Sequence, residues 1–146
     1  MKIYFEDYKL NEIVEIPPHL IEADEMINFA KLYDPRPMHL DEKAASKTQF
    51  KYIFASGLFT LSFAWGKYVE MIKDDSAIVA GMGIDDLSWI KPVYAGDTLR
   101  STLEVIELVD LAPRNVGTIK IQFKTYNQKD ELVLQAKVKW MSQKRK

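Results

Sequence analysis

A chain of 146 residues, 47% hydrophobic and 28% charged, has the size and balance of one globular domain over residues 1–146, with enough apolar material for a substantial core. Its 20 basic and 21 acidic side chains nearly cancel and alternate along the sequence, so no basic stripe marks it for nucleic acid. The absence of cysteine excludes disulfides, thiolate metal ligands and a cysteine nucleophile, and a reducing cytoplasm suits such a composition.

Glu6 and Asp7 come too early for a signal peptide, and no apolar stretch follows them. Up to about Ile16, aromatic and β-branched residues predict a strand that Pro17-Pro18 ends. From Ala23 to Tyr33, Met26, Ile27, Ala30 and Tyr33 recur at helical spacing, with Glu22, Asp24 and Glu25 at the favourable N-terminal end. Pro35 stops this helix, and a short second one starts with Asp41 as its cap. Residues Asp34 to Leu40 then form a tight loop stiffened by Pro35 and Pro37.

The apolar run from Ile53 to Trp65 is too short to span a bilayer, so no membrane contact is expected. It opens the longest predicted helix, about Gly57 to Lys73, with Ser56 as cap and Asp74-Asp75 closing it. Apolar residues on nearly every face predict burial all round. After it the period becomes that of strands. Ile78 to Val93 is a strand-forming stretch broken by Gly81 and Gly83, and Thr98 to Val109 is a β-branched run. Ile119, Ile121 and Phe123 alternate with polar residues, as do Leu132, Leu134, Ala136, Val138 and Trp140, predicting an antiparallel hairpin with one buried face. The tail Lys144-Arg145-Lys146 reads as a frayed, solvated end. The order of elements predicts an α+β domain whose curved antiparallel sheet wraps a long central helix.

Two histidines are the only imidazoles, and no ligand cluster surrounds either, so neither a metal nor another cofactor is expected. His19 has no acidic partner at a telling spacing and reads as a surface or packing residue. His39 lies five residues after Asp34 in the proline-stiffened loop, where it reads either as structural or as half of an acid/base pair. Adding water across a conjugated thioester requires a base for the water and an acid for the α-carbon, roles that a histidine and a carboxylate share if both reach one water. It also requires donors for the thioester oxygen as enolate charge develops. Backbone N–H groups at a helix N-terminus meet that need, so Ser56-Gly57 reads either as an ordinary helix start or as an oxyanion hole, with Gly57 leaving room for substrate.

The stretch Phe29 to Ala45, with Asp34-Pro35-Arg36-Pro37-Met38-His39 at its centre and Asp41 two residues beyond, resembles the signature of the MaoC-like dehydratases, which include the (R)-specific enoyl-CoA hydratases. Ala55-Ser56-Gly57-Leu58 and Pro92-Val93-Tyr94-Ala95-Gly96-Asp97-Thr98-Leu99 resemble the same family. The resemblance implies a hot-dog fold, catalysis by Asp34 and His39, and polarisation of the thioester carbonyl by the Gly57 N–H. Asp41 is left as a helix cap. It further implies an acyl-CoA or acyl-carrier thioester as substrate and a homodimer, with the acyl chain in a tunnel near the subunit interface.

Two positions depart from the family pattern. Arg36 replaces an asparagine, where it reads as a modulator of a neighbouring carboxylate, as a ligand for an acidic substrate or a CoA phosphate, or as a solvent-facing residue. Trp65 replaces a serine of the central helix, with Ser62 one turn earlier, and a ring there would shorten the acyl tunnel. The leading expectation is interconversion of trans-2-enoyl-CoA and (R)-3-hydroxyacyl-CoA. The alternatives are a non-catalytic acyl-CoA-binding protein and a thioesterase using Glu70, the acidic residue inside the central helix.

Overall fold

The computed structural model describes residues 1–73 and 75–146. After a 3-10 turn at Phe5–Asp7, the chain runs through strand β1 (Ile13–Leu20), helix α1 (Ala23–Tyr33), a second 3-10 turn at Pro37–His39, helix α2 (Glu42–Ser46) and helix α3 (Gly57–Ile72). Strands β2 (Ile78–Trp89), β3 (Thr98–Asp110), β4 (Val116–Tyr126) and β5 (Leu132–Gln143) follow. The five strands form one sheet in the order β1-β3-β4-β5-β2, with every neighbouring pair antiparallel. The sheet packs around α3 in the hot-dog arrangement, an α+β architecture.

Alternation in the sequence builds the interface between sheet and helix. Ile119, Ile121 and Phe123 of β4 are fully buried, while Lys120, Gln122 and Lys124 point to the other face. Leu103 and Val105 of β3 and Leu134 and Trp140 of β5 extend that buried face, against which α3 sets Phe59, Ala64 and Tyr68. Asp41 caps α2 as expected, accepting a hydrogen bond from the Ala44 N–H at 2.9 Å. Among the described residues no helix is long and apolar enough to cross a membrane.

Several expectations are corrected. Pro17-Pro18 does not end β1, because β1 lies at the sheet edge and its register with β3 shifts between Ile16 and His19, where prolines are tolerated. Gly81 and Gly83 do not interrupt β2, which runs on as the opposite edge with register shifts against β5. Helix α3 is not buried all round: the sheet covers one side, and Leu58, Ser62, Glu70 and Met71 are exposed. Its last helical residue is Ile72, with Lys73 as the C-cap; of the predicted closing pair, Asp74 lies outside the described residues.

The tail is not frayed. Lys144 Nζ pairs with both oxygens of Asp110 at 2.9 and 2.8 Å, and Arg145 Nη2 pairs with Asp7 at 2.7 Å and lies over the Tyr4 ring. Those cations hold the Asp110 and Asp7 carboxyls below their ordinary range, mainly through the direct side-chain hydrogen bonds.

Candidate active site

Helix α1 ends where its cap residue Asp34 leaves helical geometry ahead of Pro35, and the chain then tightens into the turn Pro37–His39. The loop carries Asp34, Arg36 and His39 to the N-terminus of α3, and these residues share one cavity of about 450 Å³ with Ser56 and Gly57. All five candidates that the sequence singled out therefore come together, although they lie on two separate segments.

His39 is 4% exposed, and its ring packs edge-on against Phe54. Its Nδ1 lies 2.7 Å from the Phe54 carbonyl oxygen. A carbonyl only accepts, so Nδ1 carries the hydrogen, and in the neutral ring Nε2 is left with its lone pair. That Nε2 is 3.6 Å from Asp34 Oδ2. The separation exceeds a direct hydrogen bond but leaves both atoms within reach of a single water oxygen.

Asp34 is held from two sides. Ser56 Oγ donates to its Oδ2 at 2.6 Å, and Arg36 Nε stands 3.3 Å from its Oδ1. The guanidinium is largely solvent-facing, with 71% of the side chain exposed, so of the three readings of Arg36 the structure combines contact with the carboxylate and exposure at the cavity. The other cation in the lining, Lys91, is paired with Glu131.

Ser56 is fully buried and also caps α3, since its Oγ accepts the Leu58 N–H at 3.3 Å. Among the described residues the Gly57 N–H meets no protein acceptor, as expected for the first turn of a helix. A Cβ at Gly57 would lie 2.3 to 2.6 Å from three atoms of the Trp89 indole, so no side chain fits at this position. Trp89 also donates its Nε1–H to the Gly57 carbonyl at 2.8 Å.

Trp65 does not reach this cavity. It packs against Tyr68, Phe123 and Trp140, and Ser62 is exposed on the helix surface. Glu70 is exposed and pairs with Lys67 at 3.5 Å, away from the site. His19 sits in the edge strand β1 opposite Leu99, outside the cavity. Sequence reasoning missed the Phe54 carbonyl, which no side-chain pattern signals, and Trp89, whose role depends on strand geometry. Pro92 and Val93, part of the second family-like segment, do line the cavity.

Comparison with known proteins adds relatives to this geometry. A family model described as "MaoC like domain" matches residues 8–127. The uncharacterized protein YdeM of Bacillus subtilis is 30% identical over 135 residues, covering 91% of this chain and 94% of that one. The mesaconyl-CoA hydratase of Cereibacter sphaeroides is 29% identical over 140 residues; the match takes in 94% of this chain but 40% of that protein's length. A solved structure from Archaeoglobus fulgius, described as a monoamine oxidase regulatory protein, superposes with a TM-score of 0.91 at 32% identity, over 99% of this chain and 97% of the other.

Proposed function

Because the chain belongs to the MaoC-like dehydratase family, we propose that it is an acyl-thioester hydratase or dehydratase interconverting trans-2-enoyl-CoA and (R)-3-hydroxyacyl-CoA. The observation that carries this reading is the approach of Asp34 Oδ2 to His39 Nε2 at 3.6 Å beside a backbone N–H at Gly57 that has no protein acceptor among the described residues. In the hydration direction, a water between the two acceptors donates one hydrogen to each, and its lone pair is free to attack C3 of the enoyl group. The pair takes one proton from that water as the C3–O bond forms. Electrons move through C2 onto the thioester oxygen, where the Gly57 N–H stabilises the developing enolate. Collapse of the enolate takes the proton back at C2, so water adds across the double bond with no other reactant.

Arg36 favours a narrower reading of the acyl group. Lys91 is already engaged by Glu131, which leaves the Arg36 guanidinium as the lining cation with no charged partner except Asp34 itself among the described residues. A second carboxylate on the acyl chain suits that position, and the similarity to a mesaconyl-CoA hydratase, whose acyl group carries one, agrees. The two open sheet edges suit a homodimer.

The test is to add purified protein to crotonyl-CoA and to an enoyl-CoA bearing a free carboxylate, and to follow loss of the conjugated thioester absorbance. Hydration is expected, with a higher kcat/KM for the carboxylated substrate. Inertness toward a broad panel of enoyl-CoA and 3-hydroxyacyl-CoA thioesters would sink the proposal. Tight binding without turnover would identify an acyl-CoA-binding protein, and release of free thiol would identify a thioesterase.

A further inference from the structure

Strand β2 ends in a departure from regular pairing. Asp85 pairs with Lys137 and Ser88 with Gln135, so three steps along β2 match two along β5, and Asp86 sits in the left-handed region at φ 52. One extra residue of this kind is a β-bulge, and because side chains alternate with period two it exchanges the faces of everything beyond it. Regular pairing from Asp85 would turn Trp89 to the outer face with Asp85 and Lys137. The bulge instead pairs Trp89 with the fully buried Leu134 and sends its side chain inward. There the indole meets the first turn of α3.

At that turn the peptide linking Gly57 to Leu58 is fixed at both ends. Its carbonyl accepts from Trp89 Nε1 at 2.8 Å, and its N–H is taken by Ser56 Oγ at 3.3 Å. The ring also lies so close to the Gly57 Cα that no Cβ fits between them. Glycine is the residue with the widest backbone freedom, so an unrestrained Gly57 would let the N–H before it wander. Ser56 Oγ in turn donates to Asp34, so a continuous set of contacts joins the end of β2, the start of α3 and the catalytic carboxylate.

We propose that Trp89 is a positioning residue, whose indole clamps Gly57 so that the free N–H at the start of α3 keeps one orientation toward the reacting thioester. This rests on the hydratase reading above for its catalytic consequence, and on the contacts alone for the restraint itself. The indole acts through Gly57 and does not exchange protons with the substrate. Its loss therefore weakens stabilisation of the enolate without changing the acid/base pair.

Two variants separate the parts of the contact: Trp89→Phe keeps a ring over Gly57 and removes the donor, while Trp89→Ala removes both. With whichever enoyl-CoA the wild type hydrates, kcat is expected to fall about tenfold in Trp89→Phe and further in Trp89→Ala, the scale of a misaligned oxyanion donor. KM should stay within about threefold and the limbs of the pH-rate profile should not move, since donor alignment acts on the transition state. Hydrogen exchange at the Leu58 amide should accelerate in both variants relative to amides of β4. An unchanged kcat in Trp89→Phe, or a loss carried by KM, overturns the catalytic role. Unchanged exchange at Leu58 overturns the clamp. If the wild type hydrates nothing, the hydratase reading has failed, and the exchange measurement decides the clamp by itself.

Discussion

The Asp34 carboxylate gathers the site around it. Its Oδ2 takes the Ser56 hydroxyl and faces His39 Nε2, and its Oδ1 faces Arg36. If Asp34 and His39 act on one water, neither Asp34→Asn nor His39→Gln can share its proton. Each is expected to lower kcat/KM by at least about 100-fold while circular dichroism shows the fold intact. Ser56→Ala makes a different prediction, because the hydroxyl both orients Asp34 and caps α3. It should cost about 1–2 kcal/mol in denaturant unfolding and reduce kcat as well. Full activity in a destabilised Ser56→Ala would show that Asp34 needs no such support. The legibility of this site follows from its layout. Asp34, Arg36 and His39 share one short proline-stiffened loop, and Ser56-Gly57 announces a helix start by residue type alone.

Where an element's position follows from its own periodicity, the sequence was a sufficient guide: the alternation of β4 and β5, the helical spacing of α1 and the Asp41 cap of α2 all match the structure. What escaped depends on neighbours. Pro17-Pro18 stays inside β1 because among the described residues no strand pairs with its outer side, and the inward turn of Trp89 needs the register of β2 against β5. The C-terminal segment is a third case, since three basic residues say nothing about carboxylates more than thirty positions away, at Asp110 and Asp7. Those carboxyls are held below their ordinary range in the folded protein, so the contacts stabilise it at neutral pH. That stabilisation is lost as pH falls from the ordinary carboxylate range through the lowered folded values. Protection of the Lys144 and Arg145 amides, taken relative to their intrinsic exchange rates at each pH, should therefore fall on acidification before the β4 amides lose theirs, and high salt should shift the effect to milder acid because the pairs are exposed. Simultaneous loss of both regions would count against a tail held by these pairs.

At the scale of the whole molecule, the sheet ends in two strands with one unpaired side each. Strand β2 leaves Ile78, Val79, Met82 and Ile84 each between 44% and 51% exposed, an apolar edge that a protein does not ordinarily offer to water. The proposed homodimer is expected to cover it. Met82→Lys should then move the protein from dimer to monomer in light scattering at micromolar concentration, whereas a wild type that is already monomeric at high concentration would remove the dimer from the proposal. Because Trp89 closes the same strand, a dimer formed there would also steady the residue that rests on Gly57.

The chain has three tryptophans, and they divide by surroundings. Trp65 and Trp140 lie 6.0 Å apart between ring centroids in the core, near Phe123, while Trp89 is half-exposed in the cavity wall with its indole N–H engaged. The protein thus carries its own optical reporter. Of the three, Trp89 is the ring in the cavity lining, so a molecule entering beside Gly57 is expected to change the colour or brightness of the protein's emission before any bond is made.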